Sequence, residues 1–205
     1  MILYLVRHGE TIWNREDRLQ GTTDIDLTDA GISQAGRIAD RLSREKVAAV
    51  FSSPLRRALS TALLIAQPHA LQVKIRDGLK EMHQGELEGK RFEELWESYP
   101  EFVVEWRQRP TATRPPGGES LYELQERAWQ VMEEIMGRDD EGVVVVSHNM
   151  TLLSILCRIL GLPLENFRRL KLDLASLTIV ETTERGPAIR TLNDTHHLDG
   201  LEGSI

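Results

Sequence analysis

The chain has 205 residues, 40% of them hydrophobic, and a formal net charge of -7; that length buries one sizeable core, and the acidic balance argues against general affinity for nucleic acid or an anionic membrane. Cys157 is the only cysteine, which excludes an internal disulfide and speaks against a thiolate metal site. No apolar run reaches the length of a membrane span and the opening one is too short for a secretory segment, so a reduced, cytoplasmic setting is expected.

Ile2 to Val6 is dense in branched apolar residues and predicts a strand buried on both faces. It stops at Arg7-His8-Gly9, a cation, an imidazole and a glycine at a strand's carboxyl end, where open α/β sheets place their ligands. Glu10 to Asp26 is polar and predicts a loop. Thr28 caps a predicted helix running to about Leu42, with Ala35, Ile38, Ala39 and Leu42 on one face. Val47 to Phe51 predicts a second strand, and Ser52-Ser53-Pro54 a helix start near Pro54, which places Arg57 in the first turn of a helix ending near Ala66. Leu71, Val73 and Ile75 alternate as a third strand, and Gly85 and Gly89 punctuate a loop holding Glu86 and Glu88.

From Arg91 to Arg114 the composition turns aromatic and basic, closing at Pro115-Pro116-Gly117-Gly118. This predicts a small helical lid insertion at about residues 90–118, too short to bury a core of its own. Ser120 and Glu123 form a capping-box pattern ahead of Leu121, Leu124, Ala128, Val131 and Ile135 at helical spacing. Val143 to Val146 is a second buried strand, and it too ends in a histidine, His148. The helix Met150 to Leu160 is apolar nearly all round, with Gly161 and Pro163 stopping it. Ala175 to Thr182 and Ala188 to Leu192 predict a terminal hairpin, and the tail from Asp194 to Ile205 carries His196 and His197. Alternating strands and helices predict a single α/β domain, a three-layer sandwich whose mostly parallel central sheet is flanked by helices.

If the strands ending at Arg7, Ser52 and Ser147 are neighbours, Arg7, His8, Arg57 and His148 share one edge of the sheet. A helix N-terminus there adds backbone donors for an anion. Two arginines and two histidines would repel one another unless a dianion sat between them, so phosphate is the natural guest.

The stretch Leu5-Val6-Arg7-His8-Gly9-Glu10-Thr11, then Asn14, Gln20-Gly21 and Asp24-Ile25-Asp26-Leu27-Thr28, resembles the N-terminal signature of the histidine phosphatase superfamily, which includes the cofactor-dependent phosphoglycerate mutases. Ser52-Ser53-Pro54-Leu55-Arg56-Arg57-Ala58, Glu81 with Gly85 and Glu88-Gly89, and Ser147-His148 continue the resemblance in order and spacing to about Leu160. The resemblance implies a phosphoric monoester hydrolase in which His8 attacks phosphorus to give a phosphohistidine. It implies that Arg7, Asn14, Arg57 and His148 hold the phosphoryl oxygens, that Gln20 and Gly21 are also substrate-binding residues, and that Glu81 protonates the leaving alcohol and then activates water. Arg57, immediately before the alanine, is the phosphate ligand, and Arg56 a surface residue. No metal or cofactor is expected, because arginines and imidazoles supply the positive charge. The expected partner is a small-molecule phosphate ester; a homodimer is left open.

In phosphoglycerate mutases the acid glutamate is followed by an arginine and a tyrosine that grip a carboxylate, whereas Glu81 is followed by Met82-His83-Gln84-Gly85. That departure favours hydrolysis. A mutase is the first alternative and a catalytically silent phosphate-binding regulator the second, although His8 and Glu81 are both present.

Overall fold

The computed structural model describes residues 1–201. In chain order its elements are β1 (Ile2–Arg7), α1 (Ile12–Arg15), α2 (Asp29–Leu42), β2 (Ala49–Ser52), α3 (Arg56–Ala66), β3 (Val73–Ile75), α4 (Phe92–Ser98), α5 (Pro100–Gln108), α6 (Leu121–Met136), β4 (Gly142–Ser147), α7 (Asn149–Ile159), β5 (Leu177–Thr183) and β6 (Gly186–Asp194). The strands form one six-stranded sheet in the order β3-β2-β4-β1-β5-β6. The pairs β3-β2, β2-β4 and β4-β1 are parallel, β5 runs antiparallel to β1, and β6 returns along β5 as a hairpin. The sandwich with a mostly parallel sheet is therefore what the chain adopts.

Period-two alternation divides each central strand between two cores. Leu3, Leu5, Phe51, Val143 and Val145 pack with Leu124 and Met132 of α6 and Leu152 and Ile155 of α7. Tyr4, Val6, Val50, Val144 and Val146 point the other way, onto Ile38 and Leu42 of α2 and Ala58, Ala62 and Ile65 of α3. Burial on both faces is why these strands read as unbroken apolar runs, each buried branched side chain stabilising the fold by roughly 1.5–3 kcal/mol relative to exposure.

Two predicted boundaries differ. Residues 10–26, expected as loop, contain the one-turn helix α1, whose cap Thr11 accepts the Asn14 N–H while the Asn14 side chain accepts the Thr11 N–H. The box is closed by asparagine in place of glutamate or glutamine, which hides it in the sequence. α3 begins at Arg56, not Pro54, with no side-chain cap at Leu55. Ser53 Oγ accepts the Leu55 N–H at 3.2 Å and shapes the preceding turn. Thr28 and Ser120 cap α2 and α6 as predicted. Of the predicted tail, residues 202–205 lie outside the described residues.

Helices α4 and α5 stand off the sheet, sharing a small cluster of Leu87, Leu95 and Val103 with Leu19, Tyr99 and Phe102. The end of α5 is tied to the segment Leu164–Arg169: Trp106 lies 6.4 Å from the Phe167 ring, and Arg168 donates to the carbonyls of Trp106 at 2.9 Å and Arg107 at 3.2 Å.

The turn leaving β1 is pressed against the start of α2. A Cβ on Gly31 would lie 2.1 Å from the Glu10 carbonyl oxygen, whereas one on Gly36, on the same helix, meets nothing within 4 Å. Gly31→Ala should destabilise the protein by about 1–3 kcal/mol through this clash, and Gly36→Ala should stabilise it by about 0.5–1 kcal/mol. Urea unfolding of both variants checks the two opposite signs.

Candidate active site

The registers β1 on β4 (Arg7 opposite Ser147) and β4 on β2 (Val146 opposite Ser52) bring three strand ends level. Beyond them His8 donates its backbone N–H to the Ser147 carbonyl at 3.1 Å, and Ser53 donates to Val146 at 3.1 Å. The loops leaving the three strands therefore start side by side and bound a cavity of about 820 Å3 whose lining includes Arg7, His8, Asn14, Gln20, Gly21, Arg57 and Glu81. His148 is the one predicted site residue outside that lining. It is fully buried, its ring 5.0 Å from that of His8 and tilted by 59°.

His8 Nδ1 lies 2.7 Å from the Gly9 carbonyl oxygen. A carbonyl only accepts, so Nδ1 carries the proton and Nε2 has a free lone pair. Burial first, then the charges of Arg57 and Arg7, holds the His8 pKa well below the ordinary histidine value. The ring is a neutral base at neutral pH. The same causes, burial and then Arg57, keep His148 neutral, and its Nε2 lies 2.8 Å from Ser53 Oγ.

Arg7 donates through Nη1 to the Leu172 carbonyl at 2.6 Å. Arg57, wholly buried, donates to the carbonyls of Thr23 at 2.8 Å and Gly21 at 2.7 Å. Burial lowers the Arg57 pKa to about 10 against the opposing pull of Glu81, Asp24 and Glu88, so it remains a cation. Arg7 Nε, Arg57 Nε and His148 Nδ1 are buried without a hydrogen-bond partner among the described residues. Two unpaired guanidinium N–H groups and an unpartnered ring nitrogen are costly to bury unless a polar guest meets them. Arg56, by contrast, is exposed and paired with Asp24 and Asp26.

The loop that meets Arg57 is itself anchored. Glu88 accepts the backbone N–H groups of Thr22 and Thr23 at 2.9 Å and of Gln84 at 3.1 Å, together with both threonine hydroxyls. Burial would raise its carboxyl, but these hydrogen bonds, led by Thr23, outweigh burial and hold it below the usual range. Gly21 has φ +52°, and a Cβ there would lie 2.1 Å from Glu88 Oε1, so both backbone and space require glycine. Asn14 takes the Thr11 N–H on Oδ1 at 3.0 Å, which leaves its NH2 group unused by the cap. Gln20 Oε1 accepts from the Thr11 hydroxyl at 3.0 Å.

Glu81 is 9% exposed. Its Oε1 accepts the N–H of Met82 at 2.8 Å and the N–H and hydroxyl of Thr151 at 3.2 Å, and its Oε2 accepts the Met150 N–H at 3.2 Å. The carboxylate thus bridges its own loop and the N-terminus of α7. The cavity lining also includes the aromatic side chains Trp13, Phe92, Trp96, Trp106 and Phe167, with Arg18, Arg107 and Arg168 among them.

Ser53, Thr61, Thr151 and Glu88 hold these groups in place and were not singled out as site residues from the sequence. Thr61 accepts the Gly9 N–H at 3.3 Å and donates to the Arg57 carbonyl at 2.9 Å. Ser53 and Glu88 stand inside recognisable motifs; Thr61 lies mid-helix and Thr151 in the first turn of α7, and neither carries a local signal.

Neutral imidazoles and charged arginines at the carboxyl edge of a parallel sheet define an α/β protein with a phosphate-type anion site. The chain belongs to the histidine phosphatase superfamily: its branch 1 matches residues 3–195. Phosphoserine phosphatase 1 of Hydrogenobacter thermophilus is 39% identical over 197 residues, 96% of this chain and 93% of the relative. A Yersinia pestis protein named "Probable phosphoglycerate mutase GpmB" is 34% identical over 203 residues, 96% of this chain and 94% of that one. Among solved structures, a mycobacterial glucosyl-3-phosphoglycerate phosphatase complexed with VO3 superposes with a TM-score of 0.87 at 27% identity, covering 95% of this chain and 99% of the other. These likenesses support a phosphatase.

The depressed histidines fix the sign of the pH response. In the unfolded chain both imidazoles take up protons as pH falls through about 6.5, while in the fold they stay neutral. Their contribution is therefore complete above that value and lost as pH falls below it, by up to about 1.4 kcal/mol per pH unit for each ring once the unfolded rings are protonated. NMR titration should find His8 and His148 neutral at pH 6, with exposed His196, raised by its hydrogen bond to Asp194, charging first.

Proposed function

We propose that the protein is a metal-independent phosphomonoesterase working through a phosphohistidine on His8. The observation that carries this reading is the state of that ring: neutral, with Nδ1 committed to Gly9, and set in a cavity beside two arginines with unused Nε donors. A phosphoryl group seated there would place its oxygens on Arg7, Arg57 and the Asn14 amide. His148 joins them: with the Ser53 hydroxyl donating to Nε2, its Nδ1–H is free for an oxygen. Gln20 and Gly21 complete the rim, Gly21 through the carbonyl that orients Arg57.

In the first step the Nε2 lone pair forms a bond to phosphorus, the P–O ester bond breaks, and the departing oxygen takes the proton of the Glu81 carboxyl. In the second the Glu81 carboxylate takes a proton from water, the water oxygen bonds to phosphorus, the N–P bond breaks, and phosphate and neutral His8 are left. The positive charge comes from the protein's own arginines.

Water is favoured over a sugar acid as acceptor by the direction of the residues after Glu81. Met82 is fully buried in the core shared with α6 and α7, and His83 points outward, 47% exposed, with neither lining the cavity. The residues after Glu81 therefore offer no carboxylate grip from that segment, while Arg18, Arg107 and Arg168 line the cavity elsewhere. The relative named phosphoserine phosphatase makes phosphoserine the first ester to try, but a cavity of about 820 Å3 with an aromatic wall has room for a larger, flatter organic body. With an acidic chain and its lone cysteine buried, its thiol pushed up to about 11 by that burial, a cytoplasmic enzyme on small esters is the consistent setting.

A hydrolysis screen over phosphoserine, phosphoglycerates, sugar phosphates, nucleotides, α-ribazole phosphate and aryl phosphates, run with and without bisphosphoglycerate, tests the reading; a requirement for that primer would make the protein a mutase. Wild type quenched during turnover should carry an acid-labile, base-stable phosphoryl group. His8→Ala should carry none and lose on the order of 10^4 or more in turnover, and equal labelling of that variant would remove His8 from its role. Activity should also persist in excess chelator.

A further inference from the structure

Glu81 sits on a segment, residues 77–83, that has no long secondary structure of its own, only the short turn Asp77–Leu79. Ser147 and Thr151 donate to its Leu79 and Lys80 carbonyls, both at 2.7 Å, and Leu79 and Met82 are buried, but the side chain that makes most hydrogen bonds to it lies on α6. Arg127 donates through Nη1 to the carbonyls of Gly78 and Lys80, both at 2.8 Å, and through Nη2 to the carbonyl of Glu81 itself at 2.9 Å. Its remaining donors go to Glu119, Nε to Oε2 at 3.0 Å and Nη2 to Oε1 at 2.5 Å. All five N–H bonds of the guanidinium are thereby used, three on the segment and two on one carboxylate.

Glu119 closes the frame from the other side. Its Oε1 accepts the His83 N–H at 2.8 Å, and its own backbone N–H donates to the His83 carbonyl at 2.9 Å. The backbone on both sides of Glu81 is therefore held by one ion pair, half-buried and outside the cavity lining. Close contact supports the same clamp: a Cβ on Gly78 would lie 2.6 Å from the Arg127 carbonyl oxygen, and one on Gly118 would lie 2.4 Å from that of His83.

We infer that Arg127, paired with Glu119, is a positioning residue for Glu81, setting where the carboxyl stands relative to the leaving oxygen rather than merely supporting the fold. The inference rests on Glu81 acting as the proton donor. Without the clamp the Thr151 and Met150 contacts would still hold the carboxylate, but on a backbone kept only by the Ser147 and Thr151 hydroxyls on the Leu79 and Lys80 carbonyls and by buried Leu79 and Met82, and shifts near 1 Å cost catalysis about 100-fold. A lysine cannot replace this guanidinium, because three donors cannot reach three carbonyls and a bidentate carboxylate together.

The test measures kcat/KM, which reports the step forming the phosphoenzyme, over aryl and alkyl phosphates of graded leaving-group basicity. Arg127→Met and Arg127→Lys should lose about 10- to 100-fold on alkyl and phenyl esters and stay within about threefold on a dinitrophenyl ester, whose leaving group needs no proton. Glu119→Gln, which keeps the arginine, should show the same pattern more weakly, and it carries the test if Arg127→Met does not fold. Glu81→Gln should show the same selectivity at full strength, and adding Arg127→Met to it should cost little more. Equal losses on all esters for the Arg127 and Glu119 variants, beside a selective Glu81→Gln, would overturn the positioning role alone. A Glu81→Gln variant without selectivity would overturn the proton-donor reading and this inference with it.

Discussion

The structure depends on keeping two guanidinium groups charged while they are buried at the edge of a parallel sheet. Removing a cation from water is expensive, and the usual remedy is a carboxylate in direct contact. Here the direct contacts of Arg7 and Arg57 are carbonyls, those of Leu172, Gly21 and Thr23. Dipoles orient a guanidinium without cancelling its charge, so the field remains available to an incoming dianion. Carboxylates act from further off: Glu81 and Asp173 on Arg7, and Glu81, Asp24 and Glu88 on Arg57. The two histidines respond by giving up their protons. The His8 ring, proposed to present a lone pair, is thus kept unprotonated by burial and by the same charges that would hold a phosphoryl group.

Much of the surrounding structure serves that arrangement. β1, β4 and β2 are adjacent and parallel, and their levelled ends put His8, His148 and the turn before Arg57 within reach of one another. The Gly21–Thr23 turn supplies carbonyls to Arg57 only because Glu88 gathers its N–H groups from behind. Gly21 permits both the backbone angle and the approach of that carboxylate.

The fold class was legible because the central strands are buried on both faces, so Leu3 to Val6 and Val143 to Val146 stand out as apolar runs, and because Thr28 and Ser120 cap helices through local chemistry. Strand order was not, since nothing in β5 announces that it pairs with β1. The site divides in the same way. Arg7, His8, Arg57 and His148 sit at strand and helix ends, where a position in the chain implies a position in space. Thr61 and Arg127, inside helices, and Thr151, in the first turn of α7, act through contacts 52, 46 and 70 residues distant in sequence, and no local pattern encodes such distances. The Gly118-Glu119-Ser120 stretch shows both cases side by side: Ser120 is readable as a cap, whereas Glu119 has meaning only once Arg127 and His83 are seen to meet it.

The cavity keeps most of its proposed phosphoryl ligands and its aromatic wall on separate elements, α1 alone serving both through Asn14 and Trp13. Its floor comes from the end of β1, the starts of α3 and α7 and the Glu81 segment; its wall comes from α1, α4, α5 and the segment Leu164–Arg169. The wall has its own attachments, the small cluster around Leu95 and Val103 and the Arg168 hydrogen bonds that cap the last carbonyls of α5. Because these attachments share no hydrogen bond with those that orient Arg7, Arg57 or Glu81, the aromatic side chains of the wall can be exchanged without moving the floor. Met82 marks where that freedom ends. Lying in the core between Glu81 and the clamp at His83, it cannot become a carboxylate-gripping arginine without burying an unpaired charge or displacing the segment that carries Glu81, so a change of acceptor made there would disturb the proposed proton donor as well.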